Sequence, residues 1–154
     1  MKARGMVFAI AALIAGVVSA VAYGIASSHG PDTGELTVSL ESVKEEGVLK
    51  IDRAEDIFVV WHEGQLIALS ADAQHVGDDV VFCESSQLFE SPAHGEKFDL
   101  RGFYYAGPGA RGLDRYPVRE EGGIVFVDGE HPQQGAARGE GPPLEPAGPF
   151  CIPT

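Results

Sequence analysis

Positive charge and thiols are both scarce in this chain of 154 residues. Lys and Arg number 11 against 23 Asp and Glu, giving a net charge of −12. Nucleic acid is excluded as a partner, because phosphate binding needs clustered cations and the arginines here are scattered. The acidic excess suits a solvated surface, and it could steer a basic partner such as a c-type cytochrome. Cysteine occurs only twice, as Cys83 and Cys151, so its meaning depends on compartment. No P-loop, dinucleotide fingerprint, paired-carboxylate motif or Ser/His/Asp order stands out. Internal repeats are absent. Past the N-terminus no long stretch repeats its apolar residues every 3.6 positions, which excludes a helical bundle.

The first thing present is an uncharged run from Met6 to Ala26, preceded by Lys2 and Arg4. As a helix at ~1.5 Å per residue it spans about 31 Å, the thickness of a bilayer core. Residues 1–28 are therefore expected to be a single membrane anchor. The flanking cations place the remainder outside the cytoplasm, on the periplasmic side of a cell membrane. A cleaved signal peptide is the alternative, with Val18-Ser19-Ala20 or Ala20-Val21-Ala22 as cleavage sites.

A linker at 29–34 precedes a series of short strand patterns over 35–128. Leu36–Leu40 alternates, and Val48–Ile51 is another short run. Ile57–Trp61 and Gln65–Leu69 flank His62-Glu63-Gly64 as a hairpin, and Val80–Phe82 pairs with Gln87–Phe89. Arg115–Arg119 and Ile124–Val127 make a last hairpin turned at 120–123, with Pro117 suited to an edge or bulge. Many short strands with regular turns predict an all-β antiparallel sandwich or barrel. Residues 129–154 are rich in Pro and Gly and predict no regular structure. Phe150 and Cys151 near the end suggest a return to the domain. Outside the cytoplasm two cysteines are expected to pair. A Cys83–Cys151 bridge would contribute about 4 kcal/mol by loop entropy; two unrelated thiols remain the alternative.

Two segments carry a family resemblance. Ser91-Pro92-Ala93-His94-Gly95-Glu96-Lys97-Phe98-Asp99 resembles the Cys-Pro-Cys-His-Gly-x-x-Phe-Asp loop of Rieske iron–sulfur proteins. Ala73-Gln74-His75-Val76-Gly77 resembles their Cys-x-His-x-Gly loop. The later Gly107-Pro108 and Leu113-Asp114-Arg115-Tyr116-Pro117-Val118 resemble the family's exit sequence. The likeness runs from about Ile57 to Asp128.

The resemblance implies a Rieske-like antiparallel sandwich with an inserted loop subdomain, here preceded by the anchor. It matches His75 and His94 to the family's iron-binding histidines, and Ala73 and Ser91 to its cluster thiolates. Asp78 and Ala93 match the cysteines that bridge the loops in quinol-oxidising members. A Rieske centre needs two thiolates and two imidazoles, so no [2Fe–2S] cluster and no other cofactor are expected. His75 and His94 could still hold a single metal if Asp72, Asp78, Asp79 or Glu96 completed the set; the alternative is that both bond to the backbone and hold empty loops together. The expected role is a non-catalytic, membrane-anchored subunit that docks or stabilises. Its setting would be the outer face of a respiratory or photosynthetic complex, beside a c-type cytochrome or a cytochrome b-like subunit. An electron carrier with an unusual centre, or a free-standing anchored or secreted binding module, are the other readings.

Overall fold

The computed structural model describes residues 34–51 and 56–153. The expected anchor lies outside them, and no helix among the described residues is long and apolar enough to cross a membrane. In chain order the elements are β1 (Glu35–Ser39), α1 (Leu40–Glu46), β2 (Val48–Ile51), β3 (Ile57–His62), β4 (Gln65–Ser70) and β5 (Val81–Cys83). There follow β6 (Leu88–Glu90), β7 (Lys97–Phe98), β8 (Tyr104–Ala106), β9 (Arg115–Tyr116), β10 (Val118–Glu121) and β11 (Ile124–Asp128).

They form three antiparallel sheets, ordered β1-β11-β10, β2-β3-β4-β9 and β5-β6-β7-β8. The fold is antiparallel and all-β apart from one short helix, as the strand pattern of the sequence predicts. The middle layer explains the sequence of β3. Ile57, Phe58, Val59 and Val60 are all buried, because both faces of that strand are covered. Successive side chains of a strand point to opposite faces. Ile57 and Val59 enter one core with Val43, Ala68, Tyr116, Val125 and Val127. Phe58 and Val60 enter the other, with Leu69, Val80, Phe89, Phe98 and Leu113. The second core ties the β5–β8 sheet, inserted between β4 and β9, to the rest.

One local expectation is corrected. The run Arg115–Arg119 is two strands, not one arm of a hairpin: β9 pairs with β4, whereas β10 pairs with β11. Pro117 lies between them. It has no N–H to give a ladder, so the chain changes sheet there. The helix α1 has no counterpart in the sequence pattern. Its seven residues bury only Val43, too short a pattern to register as a helical period. Gly47 closes it with a positive φ of 75° and an N–H bonded to the Val43 carbonyl.

Residues 129–153 run back over the domain with almost no regular structure. Gln133 bridges Arg115, Ala137 bridges Arg111, and the Gly112 N–H donates to the Ala136 carbonyl at 2.8 Å. Cys83 and Cys151 are disulfide-bonded, 68 residues apart.

Candidate functional site

Two loops meet at one end of the inserted sheet, and their backbones close in the same way. In the first, the Gly77 N–H donates to the Ala73 carbonyl and the Ala73 N–H to the Asp78 carbonyl. In the second, the Gly95 N–H donates to the Ser91 carbonyl and the Ser91 N–H to the Glu96 carbonyl. Gly77 and Gly95 have φ of 75° and 70°, a region that favours glycine. Ala73 thus corresponds to Ser91, and Asp78 to Glu96. His75 and His94 project from the two loops with ring centroids 5.5 Å apart. Both are exposed, whereas Ala73 and Ser91 are buried beneath them.

Asp78 joins the loops. Its carboxylate accepts from the Ser91 hydroxyl at 2.5 Å and lies 3.1 Å from His94 Nδ1. The Ser91 Oγ also accepts from the His94 N–H at 3.2 Å. The Ser91 bond, and then the His94 ring, hold the Asp78 carboxyl below its ordinary range against the opposing effect of burial. The His94 ring therefore bonds to a side-chain carboxylate, where a backbone partner was the alternative to a metal.

Glu96 behaves oppositely. It is fully buried, and neither carboxyl oxygen has a hydrogen-bond partner. Burial raises its pKa, only partly countered by His75. The loop at 107–109 covers it closely. A Cβ at Gly107 would lie 2.6 Å from the Glu96 Cα, and one at Gly109 would lie 2.2 Å from Glu96 Oε1. Glycine at both positions is what lets the loop close over this side chain.

The donor set is poor in metal ligands. Ala73 has no donor atom, the Ser91 hydroxyl is committed to Asp78, and Cys83 and Cys151 are bonded to each other. Among the described residues no group of three or more His, Cys, Asp and Glu side chains is spaced to hold a metal ion. Asp72 and Asp79 are backbone bridge partners within the first loop. A [2Fe–2S] cluster does not fit these donors. Nor is Ser91 a nucleophile: it is buried, and its acceptor is a carboxylate rather than an imidazole base.

A second cluster lies at the base of the second loop, and the sequence patterns did not reveal it. Glu90 and Lys97 are register partners on β6 and β7, both fully buried, with Lys97 Nζ 4.0 Å from Glu90 Oε2. The visible signal was a single charge at the end of each short apolar strand. Gln74, Arg111 and Asp114 form a further network that ties the first loop to the chain before β9.

No family model matches the chain. It is 35% identical over 95 residues to the cytochrome b6-f complex iron–sulfur subunit of Chlorobaculum tepidum, covering 60% of this chain and 52% of the relative. The corresponding subunit of Chlorobaculum thiosulfatiphilum is 33% identical over 95 residues. The chain spans about half the length of these relatives. Among solved structures, the Synechocystis PCC 6803 plasma-membrane Rieske protein PetC3 superposes with a TM-score of 0.54 at 27% identity. That match covers 60% of this chain and 97% of the other. A hyperthermophilic respiratory complex III gives 0.50 at 19% identity, covering 62% and 74%, a likeness of fold. The domain has a Rieske-like fold and is similar in sequence to iron–sulfur subunits of cytochrome b6-f complexes.

Proposed function

We propose that this protein is a membrane-anchored Rieske-fold subunit without an iron–sulfur cluster, with a structural or docking role. Its place would be the extracytoplasmic face of an electron-transfer membrane complex of the cytochrome b6-f or complex III kind, beside a cytochrome b-like subunit or a c-type cytochrome. It would not itself be an enzyme. The observation that carries this reading is the Ser91–Asp78–His94 network. It spends the one hydroxyl at a thiolate position and a ring nitrogen of one histidine on a carboxylate. The loops are then held by hydrogen bonds where the family resemblance implies metal and disulfide.

The relatives' names, and the identity of the matched subunits, support the membrane complex as the setting. Native purification in mild detergent tests it. A cytochrome-containing complex that retains this chain is the expected result; a lone monomer at every detergent concentration would contradict it. The paired His75 and His94 rings favour a second reading, an electron carrier with an unusual centre. It predicts a coloured, iron-containing preparation.

A further inference from the structure

The Pro/Gly-rich tail touches each strand of the inserted sheet. Cys151 is bonded to Cys83 on β5. On β6, Glu90 accepts the Cys151 N–H at 3.3 Å and the Ile152 N–H at 2.8 Å, one on each carboxyl oxygen. On β7, Lys97 donates to the Ile152 carbonyl at 3.2 Å and lies 4.7 Å from the Phe150 ring centroid. The Phe150 ring meets Tyr105 of β8 at 6.1 Å. Upstream, the Ala147 N–H donates to the Ser86 carbonyl, and the Ser85 hydroxyl to the Pro149 carbonyl.

The position of this contact in the chain gives it consequence. Glu90 and Lys97 are the residues immediately before and after the second loop, 91–96. Without the tail, the Glu90 carboxylate keeps only the Ser86 hydroxyl at 2.7 Å and the distant ammonium. Lys97 would lose its backbone acceptor. Two buried ions with too few partners are costly, and the loop between them would share that cost. The two ends of the covalent tie differ: Cys151 is an exposed residue, whereas Cys83 is 1% exposed.

We propose that residues 147–152 are a thiol-released strap that sets the order of the second histidine loop. An extracytoplasmic dithiol supplies the electrons. Its thiolate attacks Cys151 Sγ, the Cys83–Cys151 bond breaks, and Cys83 leaves as a thiolate that takes up a proton. The second thiol of the reductant then attacks its own sulfur in the mixed disulfide. Cys151 is released as a thiolate that takes up the second proton, and the reductant departs as a disulfide. The protein gains two electrons and two protons. The strap is then held by hydrogen bonds alone, and the loop holding His94 loosens with it.

Hydrogen–deuterium exchange on the full-length protein in detergent, with and without dithiothreitol, tests this. Reduction should speed exchange in peptides covering 147–153 and 91–96 by about tenfold or more, local opening being distinct from global unfolding. The β3–β4 hairpin should stay protected, and reoxidation should restore the slow rate. Cys151→Ser should show the fast pattern without reductant. Any one of three results overturns the proposal: a strap equally protected after reduction, a freed strap with an unchanged 91–96 loop, or protection lost everywhere at once.

Discussion

Removing the Asp78 carboxylate should separate the two loops, and the size of the effect follows from its contacts. In Asp78→Ala the fully buried Ser91 hydroxyl loses its acceptor, at about 1–3 kcal/mol for an unpaired buried polar group. His94 loses its carboxylate partner, but its side chain is 42% exposed, so that contact adds at most about 1 kcal/mol. The sum is about 1–4 kcal/mol, or a fall in Tm of roughly 4–16 °C for a domain of this size. Urea unfolding followed by Trp61 fluorescence reads it, with the exposed Asp79→Ala as the comparison, expected within about 0.5 kcal/mol of wild type. In a Ser91→Ala background the same Asp78→Ala change should cost only about 1 kcal/mol, because the buried hydroxyl is already gone. The pH dependence has a definite sign. Asp78 has a folded pKa lowered from 3.8. Its stabilisation is therefore complete above that ordinary value and disappears as pH falls through the folded one. The gap between wild type and Asp78→Ala should close in acid. An Asp78→Ala chain as stable as wild type at pH 7 would refute the network as the tie between the loops.

Two further perturbations address the buried charges. Glu96 has a folded pKa raised from 4.5 by burial, so the folded protein loses stability as pH rises through and above that value, until the folded pKa is passed. Glu96→Gln should remove that decline, and denaturation curves between pH 4 and 8 would show the wild type losing stability relative to the variant. Lys97→Met leaves Glu90 buried without its cation, and should cost about 3–5 kcal/mol; thermal unfolding checks it, and a loss below about 1 kcal/mol would contradict the assigned pairing.

The middle layer of the fold was legible in sequence because β3 and β4 are long enough, and apolar enough on both faces, to leave no other reading. The inserted sheet was harder. Lys97–Phe98 is a two-residue strand, too short to carry an alternation. The sheet change at Pro117 was visible only as an awkward proline, since nothing local says that Arg115 and Val118 find different neighbours. At the site, the positions of Ala73, His75, Ser91 and His94 followed from spacing against the family pattern. The role of Asp78 did not, because its partners lie 13 and 16 residues away. Glu90 and Lys97 were hidden for the same reason: their meaning depends on a tail some 60 residues downstream that packs through backbone groups, which leave no pattern in side-chain identity.

The proposed structural role requires that no cluster lies between the loops. Iron and acid-labile sulfide determined together on freshly purified, unreduced protein, alongside its visible and electron paramagnetic resonance spectra, test that directly. A colourless protein with iron and sulfide far below one equivalent and no paramagnetic signal on reduction is the expected result. Two irons and two sulfides per chain, with visible absorption that bleaches on reduction, would contradict it.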